Sequence, residues 1–207
     1  MLPSDSASFF LPGLVHQFGN LLLTVQGHVL HLSAEDIPRM QEAVLGAVQR
    51  GSASLQVVRV LLGENTGAPG LASDLLAQLV ELGRVPTRER GLGLELRGEG
   101  AGEFWVAAEP FVVLCAEAIR RWVHSVQLGS SGRAVAQACV ADDGRFEVRL
   151  SFELERGSLP FPLAIPEVQN ALEPALQACP TDVRIFAESN GIGLSFAAQP
   201  LVQTFEA

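Results

Sequence analysis

The sequence predicts an N-terminal antiparallel helical hairpin followed by an α/β sandwich, and two patterns carry the prediction. Across roughly the first 60 residues, apolar side chains recur every three or four positions, the spacing of one face of an α-helix. Further along, shorter helical stretches are interspersed with runs in which apolar and polar residues alternate, as they do along half-buried strands. The change from the first pattern to the second occurs at 65–70, where Asn, Thr, Gly and Pro predict a linker. We therefore expect two domains, a hairpin over residues 1–66 and an α/β domain over 70–207.

The first helix is predicted over residues 8–32, with Pro12 in its first turn, where a missing N–H costs little. At about 100° per residue, a stripe roughly 80° wide gathers the apolar side chains Leu14, Phe18, Leu21, Leu22, Val25, Val29 and Leu32. His16 lies about 170° from the centre of that stripe. A core histidine would lie within the stripe, so the spacing places His16 towards solvent, where it can meet a partner.

A second helix is predicted to begin at Ser33, which serves as the N-cap ahead of two acidic residues. Its apolar positions continue at helical spacing from Ile37 to Leu62. Because only a few residues join the two helices, they form an antiparallel hairpin. One hairpin cannot bury both stripes, so we expect two copies to pair as a four-helix bundle in a homodimer. The alternative is that the α/β domain covers the stripes.

The α/β domain is predicted to combine three helices with six strands. The helices are expected at 71–82, 109–126 and 166–177, and the strands at 91–96, 104–107, 134–140, 145–153, 182–187 and 192–197. The turn at 142–144, Asp-Asp-Gly, predicts a hairpin between two of these strands, and the last two strands predict another.

Composition narrows the functional classes. The chain of 207 residues is 48% hydrophobic and has a net charge of −9 without an evident basic patch, so we expect no binding to nucleic acid or to an anionic membrane. No apolar run approaches the roughly 20 residues that span a bilayer, and the N-terminus lacks the basic region of a signal peptide. The 3 cysteines are widely spaced and predict reduced core residues in a cytoplasmic protein, with no metal site.

The run from His16 to Leu22, His-Gln-Phe-Gly-Asn-Leu-Leu, followed by Thr24-Val-Gln-Gly27, resembles the phosphoacceptor box of bacterial sensor histidine kinases. The subgroup it resembles has His-Asp-Phe-Asn-Asn-Leu-Leu at this point. Residues 105–110 are similar to the family's Val-x-Ala-Asp-Pro segment, and residues 190–195 to its Gly-Leu-Gly-Leu-Ser segment. The resemblance implies a dimerisation hairpin that carries a phosphorylatable histidine, followed by a domain like the family's ATPase domain.

The sequence departs from that family where ATP would bind. The helix at 114–122 lacks the paired asparagines of the family, and residues 157–162 hold two prolines where adenine would be read. Gln17 replaces the acid beside the histidine, and an amide cannot act as a base at neutral pH. We therefore expect no ATP and no cofactor in this chain.

A histidine hairpin fused to a nucleotide-free kinase-like domain is similar to the dimeric histidine phosphotransferases. The resemblance implies that His16 relays phosphoryl groups between aspartates of response-regulator receiver domains in a two-component phosphorelay. Magnesium is then expected only on the partner receiver. Two rival functions stay open at this point: a phosphatase that acts on a receiver through Asn20, and a non-catalytic scaffold that binds a receiver or a kinase.

The candidate site comprises seven residues of the first helix. His16 and Asn20 are the catalytic candidates; Asn20 matches the position at which the family places a polar side chain to orient a hydrolytic water. The partner-binding candidates flank these two residues and are Gln17, Gly19, Leu23, Gly27 and Leu30. Leu23 and Leu30 are apolar yet lie within about 40° of His16, which is typical of a docking patch.

Overall fold

The computed structural model describes residues 3–30, 37–64, 69–98, 103–126, 131–156, 182–188 and 191–198, together with residues 170, 172, 173, 176 and 177. Four helices lie in this part of the chain: α1 (Pro3–Leu30), α2 (Ile37–Leu61), α3 (Ala72–Glu89) and α4 (Ala108–Ser125). The strands of this part are β1 (Pro69–Leu71), β2 (Leu92–Arg97), β3 (Trp105–Ala107), β4 (Ser131–Val140), β5 (Phe146–Arg156), β6 (Val183–Glu188) and β7 (Gly191–Phe196).

The main sheet is mixed and has the strand order β2-β4-β5-β7-β6. Strands β2 and β4 are parallel, and all other neighbours in it are antiparallel. The predicted hairpins β4–β5 and β6–β7 are both confirmed. Apolar side chains of β2, β4, β5 and β7 join those of α3 and α4 in one core, with the helices as a second layer. The predicted fold class, a helical hairpin followed by an α/β sandwich, is confirmed.

Helix α1 begins at Pro3, five residues before the predicted start, so Pro12 lies inside the helix and not in its first turn. The extension is stabilised by packing, because Phe9 and Phe10 are buried in the same core as α3 and α4. The hairpin helix and the α/β unit therefore share a core, which no local pattern revealed. The predicted N-cap at Ser33 and most of the predicted helix at 166–177 lie outside the described residues.

Two further boundaries differ from the prediction. Helix α3 continues past residue 82 to Glu89 although Pro86 lies inside it. Pro69 and Gly70, predicted as linker, belong to β1, which pairs antiparallel with β3 in a small separate sheet. This short strand pairs with residues 36 positions further along the chain, for example Gly70 with Val106. A Pro-Gly sequence gives no local indication of such pairing.

Within the described residues, the segment Asp5–Gly27 is long and apolar enough to cross a membrane by length and composition, contrary to the expectation from sequence. The mostly buried core helices of soluble proteins and signal sequences near an N-terminus pass the same test, and only 17% of this window is buried. The segment carries His16, Gln17 and Asn20 at its centre, and Phe10 near its start is fully buried in the protein core.

Candidate functional site

His16 lies in the middle of α1 with an exposed side chain. One turn later, Asn20 Nδ2 is 3.2 Å from His16 Nε2. A further turn on, the Thr24 hydroxyl donates to the backbone carbonyl of Asn20 at 2.8 Å. The i, i+4 spacing of an α-helix stacks these three side chains along one flank. The sequence-based prediction that His16 faces solvent is confirmed.

The contact with Asn20 relates the orientation of the Asn20 amide to the tautomer of the His16 imidazole. With the Asn20 amide as donor, Nε2 accepts and the ring proton lies on Nδ1, because a neutral imidazole has one donor and one acceptor nitrogen. A lone pair on Nε2 is what nucleophilic attack requires. The reversed amide would accept from Nε2–H and present the other tautomer.

The candidates around His16 form an open face of α1. Leu23 is 66% exposed, and a Cβ added at Gly19 or at Gly27 would meet no atom within 4 Å. The positions 16, 20, 23 and 27 follow the four-three spacing of a single helical stripe. Leu30 ends α1, and its side chain lies outside the description. A partner helix can therefore approach the α1 backbone closely beside His16.

Gln17 is placed differently from the other candidates, because its side chain turns towards α2. The hydroxyl of Ser54 contacts Gln17 Oε1, Gln78 Oε1 of α3 (2.8 Å) and the carbonyl of Arg50 (3.0 Å). Ser54 is fully buried, so this polar cluster joins three helices beneath the histidine. The part of Gln17 in partner binding stays a prediction. Its contact with Ser54 links α1 to α2 inside the protein.

The hydroxyl hydrogen of Ser54 can reach only one of its three acceptors. If both glutamines turn their carboxamides over, their NH₂ groups donate to the two lone pairs of Ser54 Oγ, and the hydroxyl hydrogen is left for the Arg50 carbonyl. Such a cluster is specific to glutamine and serine at these positions. Sequence reasoning missed Ser54 and Gln78, since neither carries a motif and their meeting depends on the packing of α2 and α3.

Helix α1 approaches α3 most closely at Gly13, three residues before His16. A Cβ at Gly13 would overlap the carbonyl oxygen of Leu82 and lie 2.6 Å from its carbonyl carbon. On the opposite side of the crossing, a Cβ at Gly83 would lie 3.2 Å from Phe10 Cε1. Pro86 lacks the N–H that would bond the Leu82 carbonyl, so this oxygen has no i+4 donor and faces α1. Two glycines and one proline thus set the position of His16 relative to the α/β unit.

Glu117 of α4 is the most buried charged group of the described chain, with 2% of its side chain exposed. It accepts hydrogen bonds from Ser6 of α1 at 2.6 Å, from Arg120 at 2.7 and 2.9 Å, and from Arg121 at 2.5 Å. Burial alone would raise the pKa of this carboxyl, but the hydrogen bonds from Arg120, Ser6 and Arg121 outweigh it and hold the pKa below its ordinary value. The same hydrogen bond raises the pKa of Arg120. The cluster fixes the first turns of α1 to α4.

Metal-ligating and thiol chemistry have little support in the described residues. No three His, Cys, Asp or Glu side chains cluster there. Cys115 is fully buried on α4, and burial raises the pKa of its thiol well above the ordinary value. His124 lies against Phe9, with ring centroids 5.4 Å apart, and belongs to the packing of α1 on α4.

A second exposed surface of the hairpin is apolar. Along one flank, α1 exposes Leu11, Val15 and Leu22, α2 exposes Val48 and Leu55, and Leu62 is exposed in the turn directly after α2. We call these six residues the apolar flank. Of the predicted stripe of α1, Leu14, Phe18, Leu21 and Val25 are partly buried, and Leu21 reaches Gly51 of α2 at 3.7 Å. Within the described residues, the α/β unit does not cover the apolar flank.

No family model and no curated protein sequence matches this chain. Among solved structures it is similar to full-length ShkA in complex with AMPPNP, with a TM-score of 0.47 and 16% identity over 97% of this chain and 48% of that one. The chain thus spans about half the length of ShkA. It is similar to a bacterial phosphotransferase (TM-score 0.41, 14% identity, 95% of this chain and 100% of that one). A third similar structure is the Acinetobacter baumannii histidine kinase AdeS (TM-score 0.44, 9% identity, 89% and 96%). Histidine kinases and a phosphotransferase are what this chain is similar to.

Proposed function

We propose that this chain is a histidine phosphotransferase of a two-component phosphorelay, which moves phosphoryl groups between receiver-domain aspartates through His16. The observation that carries the proposal is the exposed imidazole of His16, whose Nε2 lies 3.2 Å from the Asn20 amide on an open face of α1. The resemblance of the histidine box points to the same chemistry. A role between receivers places the protein in the cytoplasm.

The reaction needs few groups from this chain. The Nε2 lone pair attacks the phosphorus of a phospho-aspartate, an N–P bond forms, and the P–O bond to the aspartate breaks. The electron pair of that bond leaves on the aspartate carboxylate, and the Nδ1 proton stays on the ring. Attack by a second receiver's carboxylate on the phosphohistidine reverses these steps. The Asn20 amide, displaced from Nε2 by the new bond, can donate to a phosphoryl oxygen.

The proposed reaction draws no energy from ATP, and magnesium is expected only on the receiver. On α4, Glu117 and Arg120 occupy the stretch where the kinase family carries its nucleotide-binding asparagines. The two side chains are paired with one another, and Glu117 also accepts a hydrogen bond from Ser6 of α1. The Glu117 carboxylate already accepts hydrogen bonds from Ser6, Arg120 and Arg121, so it is not available to hold a magnesium ion against a triphosphate. The proposal therefore assigns the α/β unit no nucleotide.

We also propose that the protein is a homodimer, with the apolar flank as its interface. Leu22 is 68% exposed and Leu62 is 62% exposed, and both lie on the same side of the hairpin. Large apolar side chains aligned on two neighbouring helices mark an interaction surface. Two such flanks would pack as a four-helix bundle and leave His16 accessible, because it lies roughly 120° round α1 from Leu22.

The proposal is tested with receiver domains that have been phosphorylated with labelled phosphate and mixed with the full chain. We expect label to appear on the wild type and to be labile to acid and stable to base, as phosphohistidine is. The variant His16→Gln keeps the size and polarity of the side chain and should take no label. Equal labelling of wild type and His16→Gln would sink the proposal.

A receiver phosphatase is the second candidate, favoured by the carboxamide of Asn20 beside His16. In that case a receiver would lose its phosphate faster in the presence of this chain while the chain itself gained no label. Asn20→Ala would then abolish the acceleration and His16→Gln would not. A scaffold would bind the receiver in both variants and leave the lifetime of its phosphate unchanged.

A further inference from the structure

An open groove runs between α1 and α2 beyond the point where α3 covers the hairpin. Its volume is about 720 Å³, and it is lined by Thr24 of α1 and by Arg39, Glu42, Gly46, Gln49 and Arg50 of α2. The groove begins one turn from Ser54, whose hydroxyl contacts Gln78 of α3 and the Arg50 carbonyl. Ala43 and Leu45 complete the lining, and four of its side chains can donate hydrogen bonds: Thr24, Arg39, Gln49 and Arg50.

Two guanidinium groups define the charge of the groove. The side chain of Arg50 lies over Gly46, since a Cβ there would be 3.4 Å from one of its terminal nitrogens. Among the described residues, neither Arg39 nor Arg50 has a carboxylate partner. Arg88 and Arg90 share this property, whereas nine other arginines of the described residues have a carboxylate partner: Arg59, Arg84, Arg97, Arg120, Arg121, Arg133, Arg145, Arg149 and Arg184. Among the described lining residues Glu42 is the single carboxylate beside two guanidinium groups, so this part of the lining is net positive in a chain of net charge −9.

The groove lies on the same side of the hairpin as His16. Thr24, which lines it, donates to the carbonyl of Asn20, and Asn20 contacts His16. Counted at about 100° per residue, Thr24 is roughly 80° round α1 from His16 in the direction of α2. A protein of receiver size that presents an aspartate to His16 will also cover the groove.

The second copy of the proposed dimer would leave the groove free. On α2, the direction towards α1 is given by Gly51 and Ser54. Val48 and Leu55 of the apolar flank lie roughly 70° to one side of this direction, and Arg39 and Arg50 roughly 90° to the other. The occupant of the groove is therefore a different molecule from the occupant of the apolar flank.

We propose that the groove binds an acidic segment of the protein that brings its phospho-aspartate to His16; the inference rests on the proposed function. Arginine forks bind carboxylates through paired, charge-assisted hydrogen bonds, and Thr24 and Gln49 add neutral donors. The net charge of −9 opposes an acidic partner at long range. The groove thus supplies a local attraction on the side of the hairpin that carries His16, and complementary charges of this kind favour one partner and orientation over others.

The test compares the full-length wild type with Arg39→Gln/Arg50→Gln, and uses the phosphorylated receiver that labels the wild type fastest. The control is Arg133→Gln/Arg184→Gln, which removes the same charge from exposed positions of the sheet. We expect the groove variant to lower the rate of phosphoryl transfer about tenfold or more, and the control to stay within about twofold. The difference in transfer rate between the wild type and the groove variant should become smaller in about 0.5 M salt, because salt screens interactions between charges.

The outcomes separate the groove from the proposed function. If the wild type is labelled and the groove variant is labelled at the same rate, the groove inference is wrong and the function stands. If no receiver labels the wild type, the groove inference and the proposed phosphotransferase function are both wrong. If inorganic phosphate slows the wild type while the groove variant still transfers at full rate, the arginines bind a free anion and not the partner, which also overturns the inference.

Discussion

Gly13 of α1 lies against the backbone carbonyl of Leu82 of α3, so closely that no side chain fits between the two helices. We expect Gly13→Ala to destabilise the protein. Overpacking costs about 1–3 kcal/mol, and the upper end applies here because backbone atoms cannot rotate away. The better helix propensity of alanine returns about 1 kcal/mol of this. Urea unfolding of both proteins measures the difference.

Gly19→Ala is the matched control for that substitution. It lies on the same helix, but a Cβ there would meet nothing within 4 Å. We therefore expect it to raise the free energy of unfolding by about 1 kcal/mol through helix propensity alone. If both substitutions shift stability in the same direction, the close contact of α1 with α3 does not hold in solution.

The buried carboxylate of Glu117 predicts a pH dependence of stability. Its pKa is held below the ordinary value, so the unfolded chain binds the proton more readily than the folded one. The stabilisation is therefore complete above the ordinary pKa of glutamate and is lost as the pH falls through the lower folded pKa. Unfolding free energies measured between about pH 7 and pH 3 should fall more steeply for wild type than for Glu117→Gln.

Removal of the Glu117 side chain has a separate, neutral-pH consequence. Glu117→Ala leaves Arg120 and Ser6 without their partner and should lower the free energy of unfolding by about 3 kcal/mol. This value is near the low end for a buried ion pair because Arg121 is 38% exposed and can turn to solvent. Glu89→Gln, at an exposed position of α3, should change neither the stability nor its pH slope. A Glu117→Ala protein as stable as wild type would contradict the Glu117 cluster.

The apolar flank predicts an oligomeric state that a pair of charges should abolish. We expect the double variant Val48→Glu/Leu55→Glu to sediment as a monomer, because a buried, unpaired carboxylate would oppose association. Val140→Glu introduces an acid at an equally exposed valine outside the hairpin (45% against 46% for Val48) and should leave the dimer intact. Sedimentation equilibrium at several concentrations decides the matter. A wild type that is already monomeric would refute the proposed interface.

Asn20→Ala should slow transfer without abolishing it. One neutral hydrogen bond contributes about 1 kcal/mol, which corresponds to a rate reduction of about fivefold. His16→Gln removes the nucleophile itself and should remove all labelling. Gln26→Ala, also exposed on α1, is the control and should transfer at the wild-type rate. Complete loss of labelling in Asn20→Ala would assign Asn20 a larger role than orientation of the ring.

The parts of this fold that could be predicted from sequence are those that local periodicity encodes. The three- and four-residue spacing of α1 and α2, and the turn at 142–144, depend on neighbours along the chain. The parallel pairing of β2 with β4 does not, because its register (Leu94 with Ala134) joins residues 40 positions apart. The same holds for β1, whose Pro-Gly sequence is typical of a linker.

For the candidate site, exposure of His16 could be predicted because a helical wheel needs only the sequence. The side-chain environment of Gln17 could not, since Ser54 and Gln78 reach it from two other helices. Neither could the function of Gly13, which resembles any helix-weakening glycine until Leu82 is placed beside it. Wherever three elements meet, sequence spacing carries no information on which side chains touch.

The bond between Ser6 and Glu117 joins residues 111 positions apart, and this has a consequence for synthesis of the protein. During translation α1 is made first, and α2 can pair with it early as a local hairpin. The residues of α3 and α4 that bury Phe9 and Phe10 are synthesised much later. The two aromatic side chains therefore stay exposed to solvent until α3 and α4 have been made. The first turns of α1 are thus synthesised before α3 and α4 and reach their native contacts only after both of these helices have been made.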